Sequence, residues 1–222
     1  LLNSDKLMNL YLIDITTKQV KTIANSKSWE IRNFGFSPDS KWVSYTDEGE
    51  NRFSQIHLYS ISDGKTYKVT SEFFDSSNPV WDPKGKYLYF VSSRFFRGKT
   101  GNFEYNYLFE DMDNIYGLIL QNGELNPFAK YESDLMEPDT NNAKPKTKKS
   151  KKDGVEDDKS ITIDLDNLSE RLFELPTANG RYWGLFAAED KIYYSRMTSG
   201  GRPAFYVYDL KEKKEDEVGT FF

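Results

Sequence analysis

The feature that most constrains the fold of this chain is an internal repeat. The stretch from Phe36 to Tyr45 contains an aromatic residue, a polar turn with proline, a lysine and then an alternating strand. The stretch from Trp81 to Phe90 repeats that pattern after 81 − 36 = 45 residues. A degenerate third copy runs from Phe186 to Tyr194 and lacks the proline. Self-similarity at a fixed period of this size indicates a repeat architecture.

The residues of each copy predict two strands joined by a tight turn, because proline fixes φ and Asp or Gly accepts turn geometry. A third strand recurs as Leu10–Ile15 and Ile56–Ile61, at an offset of 56 − 10 = 46 residues, and a short outer strand follows each. Four short antiparallel strands at this period are typical of a β-propeller blade. A β-sandwich is the alternative, and the recurring aromatic-x-Pro turn favours the propeller.

The predicted fold is therefore all-β, an incomplete β-propeller of about three and a half to four blades of four antiparallel strands. The expected blades are 5–26 (partial, beginning on a third strand), 27–72, 73–136 with a long loop insertion, and 160–222. Because propellers close with about 4–8 blades, we expect a piece of a larger ring. Its exposed strand edges favour self-association.

Composition excludes several classes of function. The chain has 35 acidic and 30 basic side chains, which argues against a general nucleic-acid binder. It has no cysteine and a single histidine, His57, so thiol chemistry and multi-histidine metal sites are excluded. No run approaches the roughly 18 apolar residues of a membrane span. His57 lies mid-strand and no G-x-S-x-G elbow is present, so we predict no catalytic residue, cofactor or metal site.

Two insertions exceed the repeat period. The first, from Phe95 to Asp113, is rich in aromatic residues, and long loops of this kind are often functional. The second, the charged segment 137–160, carries six lysines between Lys144 and Lys152, and an acidic run follows them. We interpret it as a mobile Lys-rich linker, because it has too little apolar surface to order. A patch for nucleic acid or anionic lipid is the sharper alternative.

Two stretches of the chain resemble a known family. The stretch from Asp75 to Arg94, with the aromatic-rich insertion after it, resembles the second propeller of tricorn-type proteases. The segment from Ile161 to Arg171, continuing to Tyr182 and preceded by the lysine-rich tract, is also similar to that family. The Phe36 repeat on its own is similar to TolB-type propellers. The resemblance to tricorn-type proteases covers residues 27 to 210.

This resemblance implies the non-catalytic propeller portion of a large serine peptidase that trims oligopeptides. The propeller would guide or gate oligopeptide substrates and support a separate catalytic domain. Its partners would be oligopeptides, the remaining blades and that catalytic domain. No nucleophile, base or oxyanion residue of the family matches this sequence, so a peptidase activity would belong to the parent chain. The resemblance implies a cytoplasmic location, although the absent initiating methionine is compatible with a removed signal peptide.

Three arginines are candidates for contact with a peptide, because a guanidinium fork binds carboxylates bidentately. They are Arg94, Arg97 and Arg171. A TolB-like or WD-repeat-like interaction propeller without an enzymatic role is the alternative function. The propeller of a prolyl-oligopeptidase-like enzyme is a third.

Overall fold

The computed structural model describes residues 1–96, 98–100, 107–128 and 160–220, and these residues form four antiparallel sheets that follow one another along the chain. The first sheet contains β1 (Leu2–Ser4), β2 (Asn9–Ile13) and β3 (Val20–Asn25). The second contains β4 (Arg32–Phe36), β5 (Trp42–Glu48), β6 (Ser54–Ser60) and β7 (Thr66–Lys68). Each strand of these two sheets pairs with the next strand along the chain, as a meander does.

The third and fourth sheets repeat the four-strand meander. The third contains β8 (Asp75–Trp81) and β9 (Tyr87–Ser93), and after the two-stranded pair of β10 (Gly98–Thr100) and β11 (Tyr107–Phe109) it continues with β12 (Asp113–Ile119) and β13 (Leu172–Glu174). A 3-10 helix at Leu168–Glu170 precedes β13. The fourth sheet contains β14 (Arg181–Ala188), β15 (Lys191–Met197), β16 (Ala204–Asp209) and β17 (Lys214–Thr220).

Successive sheets pack face to face, with one hydrophobic cluster between each neighbouring pair. In β9, Leu88 and Phe90 enter the cluster shared with the second sheet, whereas Tyr89 and Val91 enter the cluster shared with the fourth. This follows from strand geometry, because successive side chains point to opposite faces. The third sheet is therefore buried on both faces, which a two-layer sandwich would not allow. The first strands β4, β8 and β14 are neighbours in the stack, as the innermost strands of blades are.

The first strands β4, β8 and β14 each contain a bulge at the same position, where two residues oppose one on the neighbouring strand. The first bulge residue has a left-handed backbone in every case: Asn33 (φ 53°), Asn78 (φ 55°) and Gly184 (φ 64°). Asn33 and Asn78 are 78 − 33 = 45 residues apart, so the repeat extends to backbone conformation. Asn and Gly are the residues that adopt this conformation at least cost.

The expected unit boundaries differ from the observed sheets in two places. The third sheet obtains its outer strand from β13, so residues 160–174 complete that sheet and do not begin the fourth unit. The cause is packing: Ile161 and Ile163 fill the groove between the second and third sheets, and the Ile161 amide donates to Asp39 Oδ2 at 2.8 Å. The first sheet also begins earlier than residue 5, because β1 pairs with β2. In this sheet β1 takes the place that the second strand has in the four-stranded sheets.

Most of the lysine-rich segment 137–160 lies outside the described residues, and only its last residue, Ser160, is placed; Ser160 Oγ accepts a hydrogen bond from Lys41 Nζ at 2.7 Å. The described part of the chain contains no helix that is long and apolar enough to cross a membrane.

Candidate functional site

One end of the sheets collects the connections that precede each first strand and those that join each second strand to the third. The strands are antiparallel, so these connections must lie at the same end of every sheet. We call this the loop end. Its described connections are residues 5–8, 26–31, 49–53, 69–74, 94–96, 110–112, 175–180 and 198–203.

Exposed aromatic side chains concentrate at the loop end. Five of them are between 40% and 74% exposed, namely Trp29, Phe53, Phe73, Phe95 and Phe96, and Phe109 of the adjoining strand β11 is 49% exposed. Phe96 links part of this group, because its ring centroid lies 6.3 Å from that of Phe74 and 6.5 Å from that of Phe109. A concentration of exposed aromatic residues marks an interaction surface.

Arg94 lies among these aromatic residues, directly after β9. Its guanidinium carbon is 4.5 Å from the ring centroid of Phe74 and 5.1 Å from that of Tyr116. Its Nε donates to Ser92 Oγ at 3.0 Å, which fixes the plane of the group. Burial lowers the pKa of Arg94 from its ordinary value, while the nearby Tyr116 raises it. Arginine still carries its charge at neutral pH.

The Nη groups of Arg94 donate no hydrogen bond to another described residue. Within the described residues, Arg94 is thus held by the two aromatic rings and by its Nε. Contact of Arg94 with a peptide stays a prediction.

Arg171 lies at the opposite end and is fully occupied by its own chain. Its five donors reach Ile119 O (3.0 Å), Asn122 Oδ1 (2.8 Å), Asp166 O (2.7 Å), Leu120 O (3.3 Å) and Asp164 O. A guanidinium group has five N–H donors, so none is left for a ligand. The predicted peptide contact at Arg171 is therefore replaced by a structural role, which is to join residues 164–166 to the end of β12. Arg97 lies outside the described residues.

Hydrogen bonds between neighbouring sheets hold the loop end in place. Asn51 Nδ2 donates to Glu72 O at 2.6 Å, which joins the second sheet to the connection before the third. The Ser199 amide donates to both carboxylate oxygens of Asp111, at 2.8 and 3.0 Å, which joins the fourth sheet to the third. These hydrogen bonds connect loops of the second, third and fourth sheets at the loop end.

Sequence reasoning missed a buried polar group just below this surface. Asn114 is 1% exposed, and its Nδ2 donates to Glu174 Oε1 at 2.7 Å and to Thr177 O at 3.2 Å. Its Oδ1 accepts from Thr177 Oγ1 at 2.5 Å. Asn114 therefore ties β12 to the connection that enters the fourth sheet. An asparagine inside an apolar strand was the available signal, since buried polar groups need partners.

His57 is half-buried, and its ring stacks on that of Tyr45 with centroids 5.3 Å apart. Burial lowers the pKa of His57, which favours the neutral ring. Among the residues that the structure describes, no group of three or more His, Cys, Asp or Glu side chains could hold a metal ion.

Comparison with known proteins places this architecture in a family. The family described as the tricorn protease second beta propeller domain matches residues 1–221. A tricorn protease homolog from Saccharolobus solfataricus is 26% identical over all of this chain and 20% of its own length. A tricorn protease from Thermoplasma volcanium is 26% identical over 57% of this chain and 13% of its own length. The chain thus spans about a fifth or less of the length of the curated relatives it matches.

Solved structures show the same fold. The crystal structure of the tricorn protease superposes on 99% of this chain and 21% of its own chain, with a TM-score of 0.75 at 19% identity. TolB from Acinetobacter baumannii superposes on 95% of this chain and 37% of its own, with a TM-score of 0.55 at 17% identity. The predicted all-β propeller fold and the predicted family are confirmed. The chain belongs to the tricorn protease second β-propeller domain family.

Proposed function

We propose that this chain is a non-catalytic propeller portion of a tricorn-like serine peptidase, which guides or gates oligopeptide substrates and supports the catalytic domain. The family match supports the setting of the proposal, since the relatives are named as proteases and this chain corresponds to a small part of each. The activity, substrates and domain contacts of such a longer protein belong to the proposal.

The observation that carries the proposal is Arg94 within the aromatic residues of the loop end. The rings of Phe74, Phe96 and Phe109 offer apolar surface to peptide side chains, and the Nη groups of Arg94 offer donors to peptide carbonyl or carboxylate oxygens. Stacked aromatic residues with an arginine are the residue types that dominate binding surfaces. This combination suits weak binding of many peptide sequences, which guidance of a mixed pool of oligopeptides requires.

Peptide binding by the 222-residue chain tests this proposal. Fluorescence anisotropy of a labelled oligopeptide should show saturable binding. Arg94→Gln should weaken the affinity by about threefold to tenfold, because one or two charge-assisted hydrogen bonds are lost. Arg202→Gln is the matched control, because Arg202 is an exposed arginine of another loop at the same end. The proposal is contradicted when the chain binds no peptide, or when Arg94→Gln binds as tightly as the unchanged protein.

A protein-interaction propeller of the TolB or WD-repeat kind is the second candidate. The structural similarity to TolB supports it, because it covers 95% of this chain at a TM-score of 0.55. On this account the aromatic residues of the loop end would contact a folded partner protein. Short peptides would then fail to bind. The gene of the longer protein would also carry no peptidase domain.

A further inference from the structure

A pocket of about 470 Å³ opens at the loop end, between the second sheet and the connection that leads to the third. One wall is the turn between β5 and β6, and the other is the segment that follows β7. The lining residues are Gly49, Glu50, Asn51, Gln55, Glu72 and Phe73. The pocket is separate from Arg94, which lies beyond the end of β9.

The two walls of the pocket are held at a fixed separation. Asn51 Nδ2 donates to Glu72 O at 2.6 Å, and its Oδ1 accepts from the Phe53 amide at 3.1 Å. Gly49 leaves room for the Gln55 side chain at the floor of the pocket, because a Cβ at position 49 would lie 2.5 Å from Gln55 Nε2. The absence of a side chain at Gly49 therefore lets the Gln55 carboxamide lie in the pocket.

The polar floor of the pocket has unused hydrogen-bonding capacity. Gln55 is 7% exposed, and its carboxamide makes no hydrogen bond to any described residue. Asp47 is directly opposite Gln55 in the strand pair, and its Oδ1 is buried without a partner among the described residues. Asp47 lies next to Gln55 but does not line the pocket, whereas the Gln55 carboxamide lines it and offers its oxygen to a donor group of a ligand.

The charge around the pocket is negative. Glu50 and Glu72 line it, and Asp47 adds a third carboxylate beside it. Glu72 forms an ion pair with Lys68, whose Nζ lies 3.2 Å from a Glu72 carboxylate oxygen, and both side chains are about half exposed (Lys68 44%, Glu72 57%). Exposed ion pairs of this kind contribute little to stability, so a ligand cation can displace Lys68.

Phe73 completes the site, because its ring is 74% exposed at the edge of the pocket. Carboxylates and a carboxamide oxygen accept the three N–H donors of an ammonium group, and an aromatic face attracts its charge. We propose that this pocket binds a primary ammonium group of a peptide, from its free N-terminus or from a lysine side chain. The inference rests on the proposed function and names the part of the peptide that this site would recognise.

Three pentapeptides titrated against the 222-residue chain by calorimetry test the pocket. The first is an alanine peptide with a free N-terminus and an amidated C-terminus. The second is N-acetylated with a central lysine, and the third is N-acetylated with norleucine in place of lysine. We expect one or both ammonium peptides to bind at least about tenfold more tightly than the norleucine peptide, and the tighter one identifies the source of the ammonium group.

The double variant Glu50→Gln/Glu72→Gln provides the second measurement. It should weaken binding of the ammonium peptide by about fivefold or more, and rising ionic strength should weaken binding to the unchanged protein. The norleucine peptide should bind the variant and the unchanged protein alike. Glu212→Gln is the matched control, because Glu212 is exposed in the turn between β16 and β17, at the opposite end. Equal melting temperatures will show that the variants are folded.

The outcomes separate the pocket from the proposed function. Equal affinity for all three peptides, or unchanged affinity in the double variant, overturns the ammonium pocket and leaves peptide guidance intact. Failure of all three peptides to bind overturns both. An ammonium preference that the double variant abolishes supports both.

Discussion

Asn33 and Asn78 occupy the same place in the first strands of two successive sheets, and both hold a left-handed backbone (φ 53° and 55°) at the first residue of a bulge. Gly184 takes this place in the fourth sheet. The repeat therefore conserves a backbone conformation and not only a hydrophobic pattern, and the bulge bends the innermost strand locally.

Substitution at Asn33 should follow from this conformation. Asn33→Val should destabilise the chain by about 1–3 kcal/mol, because a β-branched side chain is strained at positive φ. Asn33→Gly should leave stability within about 0.5 kcal/mol, since glycine accepts positive φ freely. Urea denaturation measures both, and equal stability of the two variants would contradict this account of the bulge.

Gly117 in β12 lies where the third sheet receives the ring of Phe173 from β13. A Cβ on Gly117 would lie 2.3 Å from the Phe173 ring, so Gly117→Ala should destabilise the chain by about 1–3 kcal/mol through overpacking. Gly35→Ala is the control, because no atom lies within 4 Å of its added Cβ. Thermal unfolding of both variants provides the test. Gly117→Ala with a melting temperature as high as that of Gly35→Ala would show that Phe173 does not pack there.

Arg171 should be a stability residue and not a ligand residue. Arg171→Met leaves several carbonyl groups without their donor and should cost about 2–3 kcal/mol of unfolding free energy. Arg171→Lys keeps the charge but has only three donors, so its loss should be intermediate. Denaturant titration gives both values. A stable Arg171→Met variant with reduced peptide affinity would restore the role that we expected from the sequence.

Ionisation of Asp113 should lower the free energy of unfolding as pH rises. Burial raises its pKa above the ordinary 3.8, with its hydrogen bond from Ser93 acting in the opposite direction. The folded state therefore holds this proton more tightly than the unfolded state, so its favourable contribution is complete below pH 3.8 and is lost as pH rises through the folded-state value. Asp113→Asn removes this titration. The stability of Asp113→Asn relative to the unchanged protein should rise from acid to neutral pH in denaturation curves, and a difference that falls over that range would contradict the assignment.

The parts of the fold that local signals encode could be predicted from the sequence. The aromatic-Pro turn and the alternation after it place β5 and β9 correctly, because turn chemistry and side-chain period act over a few residues. The outer strand β13 could not be assigned to the third sheet, since its pairing depends on Ile161 and on Arg171, which pack against distant strands. Because a long insertion separates β12 from β13, the repeat period does not indicate that β13 belongs to the third sheet.

Some residues of the candidate site could also be predicted from the sequence, and others could not. Arg94 could be named as a candidate from the chemistry of its guanidinium group, and its contact with a peptide stays a prediction. Trp29, Phe53 and Phe73 could not, because each is a single aromatic residue in a short connection. Only the alternating direction of antiparallel strands brings these three connections to one end. The Gln55 pocket left no sequence signal, since it depends on the absence of a side chain at Gly49.

The most direct test of the proposed function is steady-state hydrolysis of oligopeptides by the tricorn-like peptidase that the proposal implies, with and without Arg94→Gln. Guidance of substrate by a non-catalytic propeller predicts that KM for an oligopeptide rises by about threefold to tenfold while kcat stays unchanged, since only binding before the chemical step is weakened. Equal KM values for the two proteins, or a loss confined to kcat, would contradict the account.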